Sequence, residues 1–243
     1  MPHGYPDYGL ARVLTKLYAT FDLGEIPARL LGRSGIDRLG DVVWAADFSR
    51  GMNLGVITPT AGAEVTRVWL DHTITPGYCV RLDSAALQNA TCGLFGGVWF
   101  GASSRIGLEW TARVDTGWAS HDVTLGLTQS GLLRWGTLRY VPAGGYVRVI
   151  GSGATWTTLD SGVDLGEGNN LLHRLKLVID YDLARFVRAR IDGRTYDLTN
   201  VQLGSTADQW PGRIYLDLRC LSGTVGGTGL AYYGDVIATI NEP

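Results

Sequence analysis

Carboxylates that stand in pairs could hydrolyse a glycosidic bond, so the glutamates are the first residues to consider. A glycosidase needs two carboxyl groups that flank the scissile bond. The chain has only five glutamates: Glu25, Glu64, Glu109, Glu167 and Glu242. None has a second carboxylate two or four positions along a predicted strand, and we expect Glu109 to face solvent beside Arg113. The sequence therefore predicts no catalytic residue and no enzyme, with a glycoside hydrolase as the second alternative.

The histidines and cysteines show no catalytic or metal-binding spacing either. The four histidines stand alone, there is no G-x-S-x-G turn, and we expect surface or turn positions for His72 and His121. The three cysteines, Cys79, Cys92 and Cys220, are an odd number without metal-ligand spacing. Cys220 alternates in phase with apolar neighbours, which predicts a buried thiol. Whether Cys79 and Cys92 form a disulfide stays open.

Tryptophans beside loops are candidates for sugar binding, because the face of a sugar ring stacks on an aromatic ring. Three tryptophans fall in or next to predicted loops: Trp118, Trp156 and Trp210. Two other roles fit the same residues, namely closing the end of the core or contacting another subunit. Trp44 and Trp110 share strand faces with aliphatic residues and are predicted to be core.

These side chains must be held by β-strands, and the clearest strands lie between Leu172 and Leu203. Two runs alternate apolar and charged residues; the apolar positions are Leu175, Leu177 and Ile179 in the first and Val187, Ala189 and Ile191 in the second. Such alternation predicts one buried and one solvent-facing side. Asp192-Gly193 is a two-residue hairpin signal, which completes a three-stranded antiparallel meander. The solvent-facing positions predict a basic stripe of Arg174, Lys176, Arg188, Arg190 and Arg219, interleaved with aspartates.

From Asp41 onward the chain reads as about 13 short strands separated by glycine-rich turns. Of its 243 residues, 45% are hydrophobic and 34 are glycine, which is typical of a large all-β domain. The net charge of −2 lacks the basic excess that nucleic-acid binding requires. The N-terminus shows no signal-peptide pattern, and no apolar run reaches membrane length. We predict an all-β, two-sheet antiparallel sandwich over residues 41–243, with neither nucleic acid nor membrane as a partner.

Residues 1–40 differ from the rest because they lack the period of a strand. A lead rich in Pro, Gly and Tyr is followed by a short helix that we expect to begin after Asp22. Its apolar positions at helical spacing are Leu23, Ile26, Leu30 and Leu31. A helix this short needs a surface on which to dock. We predict an N-terminal arm that mediates assembly with a neighbouring subunit; packing on its own sandwich is the alternative.

A family resemblance appears in the central meander, which reads RLKLVIDYDLARFVRARIDGRTYDL. This stretch resembles the late hairpin of the concanavalin A-like superfamily, which includes laminin-G-like, legume-lectin and glucanase sandwiches. The resemblance implies a jelly-roll sandwich and makes a carbohydrate-binding, lectin-like module an alternative function. In jelly-roll modules the first and last strands often hold a structural Ca²⁺, which implies Asp47 and Asp235 as candidate ligands. No other cofactor is expected.

A second resemblance lies in the N-terminal segment, which reads TKLYATFDLGEIPARLLGRSGIDRLGDVVWAADF. It resembles the opening of uncharacterised proteins from tailed-phage and prophage structural regions. The resemblance implies a non-enzymatic structural protein of a virion, such as a capsid decoration protein. It would be made in the host cytoplasm and assembled as a homo-oligomer with other virion proteins. The only lysines are Lys16 and Lys176, and this preference for arginine fits a thermophilic or GC-rich source or arginine-rich interfaces.

Overall fold

The computed structural model describes residues 40–243 apart from 47, 49–51, 53, 59, 71–76, 85–86, 88–89, 100–102, 115–119, 154, 166–172, 211 and 223–229. This part of the chain forms sixteen strands and one turn of 3-10 helix at Pro142–Gly144. The strands are β1 (Asp41–Ala46), β2 (Gly55–Ile57), β3 (Glu64–Leu70), β4 (Gly77–Asp83), β5 (Thr91–Trp99), β6 (Arg105–Val114), β7 (Ser120–Gln129), β8 (Leu132–Val141), β9 (Tyr146–Ile150), β10 (Thr157–Ser161), β11 (His173–Asp180), β12 (Arg185–Ile191), β13 (Arg194–Asp197), β14 (Gly204–Ala207), β15 (Arg213–Leu221) and β16 (Leu230–Ile240). The predicted arm helix, with Leu23, Ile26, Leu30 and Leu31, lies outside the described residues.

The strands form two antiparallel sheets that pack face to face. Sheet A has the order β13-β12-β11-β6-β16-β4-β3, and β1 pairs with the second half of β16. Sheet B has the order β10-β9-β8-β7-β15-β5-β2, and β14 pairs with the first half of β8. The predicted all-β, two-sheet antiparallel sandwich is confirmed, and β2 and β14 are short strands absent from the prediction. Among the described residues, no helix has the length and apolar character to cross a membrane.

The core lies between the two sheets and follows the alternation of side chains along each strand. Strand β15 shows this most clearly, because four alternate side chains are completely buried: Ile214, Leu216, Leu218 and Cys220. Trp110 of β6 is buried in the same core, as predicted, and Trp44 packs against it half-buried. Burial of these apolar side chains supplies the main stabilisation of the fold.

The central meander has the predicted strands and turn, with one shift in phase. Asp192 adopts a left-handed conformation with φ 51° in the two-residue turn between β12 and β13. In the β11–β12 pairing, a bulge after Val178 places Phe186 opposite Ile179. Phe186 is therefore fully buried, whereas Val187, which the simple alternation placed in the core, is only half-buried. The extra residue of the bulge changes the face on one side of it only, so Ala189 and Ile191, further along β12, are buried as predicted.

The structure answers one open question about the cysteines and corrects one prediction about a histidine. Cys79 lies in sheet A and Cys92 in sheet B, and both are free thiols, so they do not form a bridge. Cys92 instead lies directly opposite Cys220 in the β5–β15 register. His121, predicted at the surface, lies inside β7 and is only 4% exposed. Burial, which disfavours the charged ring, lowers the pKa of His121 to about 3.

Candidate functional site

Strand β15 runs through the middle of sheet B and organises its outer face. Because the core-facing residues alternate, the side chains that point outward are Arg213, Tyr215, Asp217 and Arg219. β5 and β7 flank β15, and their register places Trp99 and Thr128 beside Arg213 at one end of the strand. The outer face is thus a row of aromatic, charged and hydroxyl side chains built on a rigid apolar layer.

Asp217 is the centre of this row and is held by its own strand. Its carboxylate accepts a hydrogen bond from the Tyr215 hydroxyl at 2.9 Å. The Arg219 guanidinium donates to both of its oxygens, at 3.0 and 2.8 Å. Burial, followed by the nearby Asp217 carboxylate, raises the pKa of Tyr215 to about 12. Asp217 is only 3% exposed, and the hydrogen bonds from these two partners hold its carboxylate in place.

The far end of the same face is closed by a second ion pair. Asp122 of β7 accepts two hydrogen bonds from Arg139 of β8, both at 2.6 Å. The Arg139 guanidinium carbon lies 4.3 Å from the centre of the Trp156 ring, and that of Arg148 lies 5.7 Å from it. Trp156, a predicted sugar platform, therefore has two arginines against its ring. Its geometry supports a role in holding this end of the sheet.

Two glycines on the strands that flank β15 leave their positions on the outer face without a side chain. Gly97 and Gly126 lie on either side of Tyr215 in the register. A Cβ on Gly97 would lie 3.3 Å from Cδ of Arg213, and one on Gly126 would lie 2.8 Å from Cδ1 of Leu133. Neighbouring side chains therefore lie across these glycines. Where glycine replaces a side chain in a strand, another group can approach the backbone closely.

The feature of this face that is best suited to bind a ligand is a cluster at one end of β15. We call it the tryptophan corner; it is formed by Trp99, Trp210, Arg213, Asp208 and Thr128. Trp99 ends β5 and Trp210 lies just before β15; their side chains are 59% and 53% exposed. Their ring centres are 6.1 Å apart, with an angle of 65° between the planes. The Arg213 guanidinium carbon lies 5.2 Å from the Trp210 ring centre. Two aromatic surfaces and a cation thus meet at one exposed edge of the sheet.

Asp208 ties the corner together. One carboxylate oxygen accepts a hydrogen bond from the Thr128 hydroxyl at 2.7 Å, and the other accepts the Trp210 backbone N–H at 3.2 Å. An Nη of Arg213 lies 3.7 Å from the first oxygen, close enough for an ion pair. The hydrogen bond from Thr128 is the main cause that lowers the pKa of Asp208. The Arg213 side chain donates no hydrogen bond within the described residues, although its guanidinium carries five N–H groups.

The outer face of sheet A has a different character, because it buries its charges. Lys176 Nζ lies 3.0 Å from Glu109 Oε1 and 2.8 Å from Glu242 Oε1, and Arg188 lies 2.7 Å from the other Glu242 oxygen. Lys176 is 3% exposed and Glu109 is 5% exposed. The predictions of a wet outer face and of a solvent-facing Glu109 beside Arg113 are therefore wrong. Two cations balance two carboxylates, the arrangement that makes buried charges tolerable.

Asp235, a predicted calcium ligand, lies beside this network. It is 9% exposed and lines an open depression together with Glu109 and Thr111. Glu109 already pairs with Lys176, and Asp47 lies outside the described residues. Within the described part of the chain, no group of three His, Cys, Asp or Glu side chains is placed to hold a metal. The calcium site stays a prediction.

The predicted site residues thus have different outcomes. Trp210 lies in the tryptophan corner, Trp156 lies under two arginines, and Trp118 is outside the described residues. The single basic stripe is wrong, because Arg219 belongs to sheet B and its other four members belong to sheet A. Trp99 was missed, although it continues the outward phase of Phe95 along β5; a tryptophan at the exposed end of a strand was the available signal.

The carboxylates of sheet B do not form an acid–base pair. The neighbours of Asp217 at two positions on either side are Tyr215 and Arg219, and across the register it faces Thr124. Asp217 and Asp122 are each engaged by their own arginine. Hydrolysis of a glycoside needs one carboxyl that gives up a proton and a second that attacks or activates water. The described residues of this face offer hydrogen bonding and stacking, without that pair.

Comparisons with known proteins agree with this architecture. A scan against protein-family models finds no match, and a search of the curated proteins finds none. Among solved structures, a conserved carbohydrate esterase from Shiga toxin-encoding bacteriophage phi24B is 14% identical, with a TM-score of 0.54 over 82% of this chain and 98% of that chain. The cellulose-induced protein Cip1 is 11% identical, with a TM-score of 0.53 over 81% and 96%.

A third neighbour is a protein of unknown function with a galectin-like fold from Bacillus subtilis. It is 11% identical, with a TM-score of 0.52 over 84% of this chain and 97% of that chain. Identities this low show the fold alone. The chain has the jelly-roll sandwich fold shared by concanavalin A-like and galectin-like proteins, as the meander resemblance implied.

Proposed function

We propose that this protein is a carbohydrate-binding module whose glycan docks on the tryptophan corner. The observation that carries the proposal is the contact between two exposed tryptophan rings, Trp99 and Trp210, beside an arginine that donates no hydrogen bond within the described residues. Large exposed apolar surfaces on a folded protein mark sites of interaction. A sugar has an apolar face for the rings and hydroxyl groups for Arg213 and Asp208.

The chemistry of the corner fits a sugar better than an apolar ligand. Ligand sites combine apolar walls with a few placed polar groups that fix orientation. Here the walls are the indole rings, the donor is the Arg213 guanidinium, and the acceptor is the Asp208 carboxylate. Carbohydrate-related names recur among the structural neighbours, including a carbohydrate esterase and a cellulose-induced protein. They support the choice of glycans as the first ligands to test.

The test is affinity electrophoresis and fluorescence titration against soluble cellulose, xylan, β-1,3-glucan, mannan and chitin oligosaccharides. One of these should bind and shift the tryptophan emission. Trp99→Ala and Trp210→Ala should each weaken that binding by about fivefold, because each removes one stacking surface, worth about 1 kcal/mol. The matched control is Trp69→Ala, since Trp69 is 51% exposed and contacts Tyr78 edge to face at 4.9 Å, but lies in sheet A.

Equal losses in all three variants, or a ligand that binds without either corner tryptophan, would remove the corner as the site. We propose further that binding is not followed by hydrolysis, because Asp217 and Asp122 are held by arginines. Long incubation of the bound oligosaccharide should leave its chain length unchanged by mass spectrometry. Cleavage that disappears in Asp217→Asn would show instead an enzyme on this face.

A second proposal places the module in a tailed-phage virion, for example as a capsid decoration protein that assembles through its N-terminal arm. It is supported by the resemblance of the N-terminal segment to phage structural-region proteins. Native mass spectrometry of the full chain should show a closed homo-oligomer. Leu23→Asp together with Leu30→Asp should dissociate it without lowering the melting temperature. A monomeric wild-type chain, or an oligomer indifferent to these substitutions, would contradict the assembly proposal.

A further inference from the structure

Asp208 occupies a position from which it can control the charge of the tryptophan corner. Arg213 is the cation among the corner residues and Asp208 the anion, with 3.7 Å between their nearest atoms. That distance allows Coulombic attraction but exceeds a hydrogen bond. The guanidinium N–H groups therefore keep their capacity to donate to a ligand, while the neighbouring carboxylate offsets part of the positive charge.

The geometry points to a corner built for neutral glycans, with Asp208 as the residue that excludes acidic ones. This inference rests on the proposed function and names the ligand class of the same site. A uronate carboxylate that approached Arg213 would come close to the Asp208 carboxylate, because the nearest atoms of Asp208 and Arg213 are only 3.7 Å apart. A like charge placed against the wrong ligand is a common source of specificity in binding sites. Neutral hydroxyl groups meet no such repulsion.

The same carboxylate positions the aromatic wall. It joins Thr128 on β7, at 2.7 Å, to the Trp210 backbone N–H, at 3.2 Å. Thr128 is fully buried, so this anchor belongs to the rigid sheet. Asp208→Asn preserves both links in principle, because the amide oxygen accepts from Trp210 N–H and the amide nitrogen donates to the Thr128 oxygen. The substitution removes the charge while keeping the shape.

The experiment compares one neutral oligosaccharide with its C6-oxidised uronate form, which has the same linkage and length. Wild type should bind the neutral form at least about tenfold more tightly than the uronate. Asp208→Asn should strengthen uronate binding about tenfold relative to neutral binding by the same variant, because Arg213 can then pair with a carboxylate without an opposing charge. The new uronate binding should weaken with added salt, since it depends on an exposed charge.

Two controls separate the causes. Asp208→Ala removes the charge and both links together, so it should also shift the tryptophan emission, whereas Asp208→Asn should not. In Asp208→Asn/Arg213→Met, the gained uronate binding should vanish. If wild type binds neutral glycans but Asp208→Asn gains no uronate affinity, or if wild type prefers the uronate, the inference is wrong and the proposed function stands. If wild type binds no glycan of either kind, the proposed function itself is wrong.

Discussion

Acid should destabilise this protein through one buried histidine, His121. Its side chain is 4% exposed, and neither ring nitrogen has a hydrogen-bond partner within the described residues. Its strand neighbours are Tyr140 and Cys220. Burial raises the pKa of Tyr140, and the hydrogen bond with Cys92 together with burial raises that of Cys220, so neither is charged in acid. Neither of these strand neighbours is therefore an anion that would stabilise a protonated His121 ring.

The sign and size of the effect follow from linkage. The pKa of His121 is about 3 in the folded chain, against 6.5 in the unfolded one. Below pH 6.5 the unfolded chain binds a proton that the folded chain refuses, so folding stability falls as the pH falls towards 3. The loss is about 1.4 kcal/mol per pH unit, or about 2 kcal/mol at pH 5. Above pH 7 the contribution is negligible.

Urea unfolding of wild type and His121→Leu, at four pH values between about 7.5 and 5, tests this. Leucine has similar bulk and does not titrate, so the difference in unfolding free energy between the two proteins should grow by about 2 kcal/mol over this range. The variant should be the more stable protein at pH 5. His173→Gln is the control, because His173 pairs with Asp192 at the surface end of β11, and it should retain the acid loss. Parallel curves for wild type and His121→Leu would refute the reasoning.

Two further predictions concern packing and charge. Lys176→Met should lower the free energy of unfolding by about 3–5 kcal/mol, because it leaves Glu109 and Glu242 buried without their ammonium partner. The control is Arg194→Met, which breaks an exposed ion pair at 3.0 Å and should leave the melting temperature unchanged. Equal melting temperatures for Lys176→Met and Arg194→Met would contradict a structural role for the buried network. Gly136→Ala should cost about 1–3 kcal/mol by chemical denaturation, since its Cβ would lie 2.3 Å from the Phe186 ring, whereas Gly193→Ala meets no atom within 4 Å and should be neutral.

The inner faces of the strands were predictable from sequence because alternation is a local property. Leu175, Leu177 and Ile179 are buried where their period placed them. The predicted alternation fails at a bulge, as at Phe186 and Val187, because an extra residue leaves no mark in the pattern of apolar residues. Whether the outer face of a sheet is buried also cannot be predicted from the local sequence. Lys176 looks solvated in sequence and becomes buried only through tertiary contacts with glutamates on other segments.

The candidate site shows the same division. Trp210 could be proposed from its polar loop, but its contact with Trp99 depends on pairing between β5 and β15, which are distant in sequence. Asp208 lies only a few residues before Arg213, but the sequence does not show that its carboxylate meets both that arginine and Thr128 of β7. Local sequence patterns therefore indicate which residues could line such a site, and strand pairing brings those residues together.

The alternation along β15 gives this chain two sets of positions that can change independently. Ile214 and its partners fix the fold from one face, while Tyr215 and Asp217 point to the other. Asp217 is itself buried and ion-paired, but Phe95 and Trp99 on the neighbouring strand β5 are exposed. Mutations at the exposed outer positions can therefore accumulate at little cost to folding, so a lineage can change this surface while its architecture persists. The same separation suits the laboratory: a library that varies the exposed outward positions should yield mostly folded members, from which new specificities can be selected.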